Sequence, residues 1–277
     1  MKSIFFDPFA PVEIHPITVA GEPVPTRVAV RVKGDDGAFH VQGILGRDYQ
    51  LLPNRKVRDI AEDIMSRTPS QYGGFDNLKT LWDGKHYVDY FASRNAIAEI
   101  SNGRDLRLKL GLMAWNSYDG TRKVGFEIFA LNPYCTNQYH SRNRFGFFAW
   151  RHDPDEAGRI DADEALDGIA IGARNVIAIA PRIHELCKQP LSTRLLLDAK
   201  KHLALPQTKW GDVLDQLGHE EENAFGLFQA LTSVATHRLA GLSSIALGTA
   251  ITEHFLVPPA PPAVNHTTAE AVLASKA

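Results

Sequence analysis

The chain has 277 residues, 44% hydrophobic and 22% charged, with a formal net charge of −2. This composition fits a globular protein with a substantial core and excludes a global basic signature, so any polyanion binding must come from a local patch. Two cysteines exclude a disulfide framework, the N-terminus MKSIFFDPFAPVEIHP lacks a signal-peptide pattern, and no stretch approaches the ~20 apolar residues that span a bilayer. The expectation is a cytoplasmic protein without a membrane partner.

The first half reads as strands. Residues 26 to 32 alternate Val28, Val30 and Val32 against Arg27 and Arg31, Gly34 to Gly37 turns the chain, and Phe39 to Leu45 returns it. A helix is predicted from about 53 to 67, opened by Pro53, with Val57, Ile60, Ala61 and Ile64 on one face. Residues 86 to 92 alternate again.

A β-hairpin follows. Leu106, Leu108, Leu110, Leu112 and Ala114 fall on one face of its first arm, with Arg107 and Lys109 on the other. Asn116 to Gly120 supplies the turn. Val124, Phe126, Ile128 and Ala130 then alternate with Lys123 and Glu127. The aliphatic row should face the helices.

From 104 to 151 the charge is lopsided. Arg104, Arg107, Lys109, Arg122, Lys123, Arg142, Arg144 and Arg151 stand against Asp105, Asp119 and Glu127, with Tyr139, Phe145, Phe147, Phe148 and Trp150 threaded among the last arginines. Cations hold phosphates and flat apolar rings hold unstacked bases, so this is the composition of a single-stranded nucleic-acid site. The plain alternative is an amphipathic sheet with a basic solvent face.

Beyond residue 160 the pattern turns helical. Helices are predicted at about 162 to 180, from a restart at Pro190-Leu191-Ser192-Thr193 to about 205, and at about 209 to 217, 221 to 239 and 242 to 256, with Pro181 expected to kink or end the first. Residues 258 to 277 are rich in Pro and Ala and are expected to be disordered. Strands followed by helices predict an α+β fold: an antiparallel sheet with a central hairpin in the N-terminal half, packed by a helical C-terminal half, in one domain spanning 1 to 257.

No Gly-rich phosphate loop, HExxH or GxSxG motif occurs, and Cys135, His140 and His152 match no standard zinc spacing. His184, His202, His219, His237 and His254 recur at near-regular intervals, but turns and prolines interrupt the helices between them. Asp89, Asp105 and Asp119 form no nuclease-like cluster. No catalytic residue, metal site or cofactor is assigned.

The segment LGRDYQLLPNRKVRDIAEDIM (45 to 65), the hairpin residues Asn116, Ser117, Asp119, Gly120, Thr121 and Phe126, the run Tyr134-Cys135-Thr136-Asn137, the pair Arg151-His152, and ENAFGLFQALTSVATH (222 to 237) carry a resemblance. Over about residues 40 to 240 the chain resembles the phage/plasmid-like protein family, domain of unknown function 932. Gln229 and Ser233 depart from that family's usual Asn and Glu. The outline is also similar to ring-forming single-strand annealing proteins related to Rad-fifty-two. The resemblance implies a protein of a mobile element acting in a bacterial host cell.

The first reading is therefore a single-stranded DNA (or RNA) binding protein that acts in annealing or recombination as a homo-oligomer, possibly a ring. Arg107, Lys109, Arg122, Lys123, Arg142, Arg144 and Arg151 hold phosphates in this reading, while Tyr139, Phe147 and Trp150 stack bases. Arg142, Arg144 and Arg151 are expected to matter more than Arg27 or Arg31. A second reading is an enzyme of nucleic-acid or nucleotide metabolism using His140, His152 and an acid in a cleft. A third is a structural phage or plasmid protein.

Overall fold

A computed structural model describes residues 4–100, 106–133, 137–141, 145–153, 162–239 and 241–257. Arg142, Arg144, Cys135 and the 258–277 tail lie outside the described residues.

The fold is α+β. Two antiparallel sheets fill the N-terminal half. The smaller has the order β1-β2-β3, formed by β1 (Val12–Val19), β2 (Glu22–Lys33) and β3 (Phe39–Gly46). The larger has six strands: β4 (Phe75–Trp82), β5 (His86–Ile100), β6 (Leu106–Ser117), β7 (Val124–Leu131) and β8 (Gln138–His140) in that order, with β9 (Phe147–Trp150) also paired to β7. Helix α1 (Asn54–Ser66) joins the two sheets in sequence. Helices α2 (Ala162–Ala178), α3 (Ala180–Lys188), α4 (Thr193–His202), α5 (Lys209–Leu217), α6 (Ala224–Arg238) and α7 (Gly241–Leu256) make up the C-terminal half.

The hairpin forms as its alternation predicts. Leu106, Leu108, Leu110, Leu112 and Ala114 of β6 join Val124, Phe126, Ile128 and Ala130 of β7 in one core cluster with α1, α2 and α6. Each fully buried leucine stabilises the fold by roughly 1.5–3 kcal/mol. Helix α6 is buried on almost every side from Ala224 to Ala235, which marks it as the central helix of its layer. The Asn223 side chain caps it by accepting from the Gly226 amide at 2.8 Å.

The opposite sheet face departs from the alternation pattern. Val88, Tyr90, Ala92, Met113, Trp115, Phe129 and Leu131 form a second apolar cluster there, joined by Ile245 of α7. Strand β7 is buried along its whole length, including Glu127. Gly111 permits this packing, because a Cβ at that position would lie 2.3 Å from the Phe129 ring across the β6–β7 ladder.

Two strands break the expected pattern. β1 carries Pro16 on an edge and a register shift between Pro16 and Thr18. β4 has a register shift between Asn77 and Lys79, which destroys its period-two signature. The break expected at Pro181 is present, between Ala178 and Ala180. The helix breaks at Ile179, and Pro181 sits in the first turn of α3, where its missing N–H costs nothing. α4 stops at His202, short of the expected 205, with Leu203 extended beyond it.

Polar joints fix α1 against the sheet. Asn116 donates from Nδ2 to Asn54 Oδ1 at 2.9 Å and to the Leu52 carbonyl at 2.7 Å. The Asn54 amide donates to Tyr118 Oη at 2.8 Å, and Tyr49 donates to the Ser117 carbonyl at 2.9 Å. Asp89, fully buried on β5, accepts from Tyr87 and Thr80 and faces Arg58 Nε of α1 at 3.2 Å.

Candidate nucleic-acid interface

The second sheet face is the candidate site. Cross-strand partners lie on the same face, so the register places Lys79 beside Tyr90, and Glu127 beside both Met113 and Phe147. Lys109 follows the same alternation as Met113 and Trp115. The cationic arm of the hairpin and the aromatics of its neighbours thus share one surface.

Two cavities open on this surface. The larger, about 640 Å³, is lined among others by Lys79, Tyr90, Lys109, Gln138 and His237. Its volume falls within the ~300–1,000 Å³ typical of ligand sites. The smaller, about 190 Å³, is lined by Val88, Met113, Trp115, Arg122, Lys123, Phe147, Ala149 and Ile245. The first turns of α7 stand between them, with Ser244 on one side and Ile245 on the other.

Charge at both cavities is positive. Lys79 and Lys109 line the larger and Arg122 and Lys123 the smaller, while the lining acid Asp76 is paired with Arg94 at 2.9 Å. Beneath them, burial pushes the Tyr90 phenol up to about 12, with Glu127 adding to the shift and Arg122 opposing it. Tyr90 is therefore a neutral, flat wall at physiological pH. Phe147 is 36% exposed and stacks on Trp115 with ring centroids 5.3 Å apart.

The predicted site residues divide. Arg122, Lys123 and Phe147 come together at the smaller cavity, and Lys109 lines the larger one on the same sheet face. Arg107 shares their face but is ion-paired with Glu99 at 3.2 Å. Arg151 is exposed just beyond β9. Arg142 and Arg144 lie outside the described residues.

Two stacking assignments are corrected. Tyr139 is 0% exposed, packs against Phe228 and donates to Gln229 Oε1 at 2.9 Å, so its ring offers no face to a base. Trp150 points to the other side of the sheet. It pairs with Val124 and contacts Phe126 and Phe148, and it packs against the main core.

Sequence reasoning missed Lys79, Tyr90, Trp115 and His237. The β4 bulge hid Lys79, Tyr90 and Trp115 lie among apolar neighbours on a packed face, and His237 belongs to α6, far along the chain.

The enzyme reading loses its histidine pair. His140 lies buried with Nδ1 2.9 Å from Glu127 Oε1 and Nε2 3.2 Å from Gln138 Oε1, so both ring nitrogens are engaged inside the protein. His152 sits elsewhere, stacked on Tyr49 at 4.9 Å and bonded through Nδ1 to the Gln50 carbonyl at 3.2 Å. Burial holds its imidazole below the usual histidine range.

No protein-family model, curated protein or solved structure matches the chain. Among the residues that carry the resemblance to phage/plasmid-like proteins, Tyr134, Cys135 and Thr136 lie outside the described residues, and two small groups of the others are in contact. Tyr49, Asn54, Asn116 and Ser117 form the joint beneath α1. Asn137 Nδ2 reaches Gln229 Oε1 at 3.0 Å and Thr232 Oγ1 at 3.1 Å, clasping β8 to α6. These positions act as buried structural joints. Among the described residues, no helix is long and apolar enough to cross a membrane.

Proposed function

We propose that the groove on the second sheet face binds single-stranded nucleic acid. The observation that carries this is that Lys79 and Lys109 line one cavity of this face and Arg122 and Lys123 the next, beside the exposed Phe147 ring stacked on buried Trp115. Cations spaced along a groove track a phosphate backbone, and a ring standing at its edge offers a sequence-tolerant platform for a base. The roles are binding roles with no chemical step.

Self-association belongs to the same proposal. β1 and β3 are the edge strands of the smaller sheet, and β3 carries exposed Phe39, Val41 and Ile44. Edges of this kind pair with a second chain, as annealing proteins that act as oligomers require.

Fluorescence anisotropy with labelled oligo(dT) and oligo(U) tests the groove. The Lys109→Ala/Lys123→Ala double variant should bind more weakly at low salt, while Arg27→Ala/Arg31→Ala on the smaller sheet should bind as the wild type does. Equal losses, or no binding by the wild type at low salt, refute the proposal.

A further inference from the structure

We propose that Asp198, His202 and His254 form a binding site for a late first-row divalent metal ion, with Zn²⁺ as the reference ion, that ties α4 to the last turn of α7. Asp198 and His202 lie at i and i+4 on α4 and so share one face of that helix. His254 arrives from α7. His202 Nδ1 stands 3.2 Å from Asp198 Oδ1, and His254 Nε2 stands 3.2 Å from Asp198 Oδ2. One donor atom from each of the three residues lies within 4.8 Å of the others.

The His254–Asp198 spacing suits a metal. Donors about 2.0–2.1 Å from a tetrahedral ion lie roughly 3.3 Å apart, which the 3.2 Å between His254 Nε2 and Asp198 Oδ2 matches. Two imidazoles with one carboxylate form a borderline donor set that favours zinc and its neighbours over Mg²⁺ or Ca²⁺. The tautomer also fits. His202 Nδ1 lies 2.9 Å from the Asp198 carbonyl oxygen, which can only accept. Nδ1 therefore carries the proton and Nε2 keeps the lone pair that a metal takes, with the carbonyl contact orienting the ring.

The two rings are already held near one another. Their centroids are 5.5 Å apart with planes 25° from parallel, and His254 is braced edge-on by Phe255 at 4.9 Å. Phe255 is itself a core residue, so the His254 backbone is fixed by packing. Asp198 and His202 are exposed, which leaves the ion open to solvent and a fourth position for water. The groove on the sheet is lined by none of these three residues, so this site stands independently of the proposed function.

The test is titration of the metal-stripped full chain with Zn²⁺ by calorimetry and with Co²⁺ by visible absorption, alongside thermal melting with and without Zn²⁺. One ion per chain, ligand-field bands of four-coordinate Co²⁺ and a raised melting temperature are expected. His254→Gln and Asp198→Asn should weaken binding at least about tenfold. His202→Gln, at an exposed position, provides a further variant should either lower folding yield, which circular dichroism reports. His219→Gln, exposed and outside the cluster, should bind as the wild type does. The absence of saturable binding by the wild type, or variants of all three residues that still bind like His219→Gln, overturns the assignment.

Discussion

The salt dependence of oligonucleotide binding gives the most direct measure of the groove. Four cations line its two cavities: Lys79, Lys109, Arg122 and Lys123. Arg107 is left out because Glu99 already compensates it, and Asp76 subtracts nothing because Arg94 compensates it. Each phosphate neutralised on a single strand contributes about −0.7 to the slope of log K against log salt, so four give about −2.8. Raising salt from about 50 to about 200 mM should then weaken binding about 50-fold. Replacing Lys109 and Lys123 by Ala should halve the slope to about −1.4 and reduce the same loss to about 7-fold. Anisotropy titrations at five salt concentrations, for wild type and variant, read both slopes. A flat wild-type response, or identical slopes for the two proteins, refutes the charge count on which the groove rests.

Further outcomes follow from the packing. Gly111→Ala should destabilise the fold by about 1–3 kcal/mol in urea unfolding, because Phe129 is hemmed in by Tyr90 and His140 and has no room to yield; a neutral result shows that the ring can move. Tyr118→Phe strips the buried Asn54 amide of its acceptor and should cost about 1–3 kcal/mol, whereas an unchanged midpoint places water or another acceptor there. His152 supplies a pH signature. Its folded-state affinity for protons is lowered by burial, and Nε2 has no hydrogen-bond partner in its pocket, so the unfolded chain takes up the proton first as pH falls below the ordinary histidine value of 6.5. Stability should therefore fall as pH drops through and below 6.5, and His152→Phe, which keeps a ring against Tyr49, should flatten that part of the melting curve; parallel curves for the two proteins exclude His152 as a cause. The depressed carboxyls Asp83 and Asp119 act in a separate window below their ordinary value of 3.8.

The hairpin was legible because the leucines of its first arm alternate with Arg107 and Lys109 around an Asp-Gly turn. The strand at 86 to 92 was legible only in part. It continues to Ile100, past register shifts between Ala92 and Ala98 that interrupt its alternation. Tyr139 was misread from its company. Basic neighbours suggest an exposed ring, yet β8 is a three-residue strand pressed under α6. Lys79 was invisible behind a bulge, and His237 lies at the end of a helix far along the chain. The Asp198–His202–His254 cluster was beyond local reading, since its members belong to two helices and match no standard spacing.

The complete burial of β7 has a consequence for how this surface could diversify. A strand that floors a groove on one side and anchors a helical core on the other has no side chain free to serve only recognition. Exchanging Glu127, Phe129 or Leu131 to alter a ligand preference would disturb two layers at once. New specificity must therefore arise at the rim, where Lys79, Lys123, Phe147 and His237 project from separate elements. A combinatorial library confined to those four positions should yield folded members at a far higher frequency than one of equal size drawn from the floor.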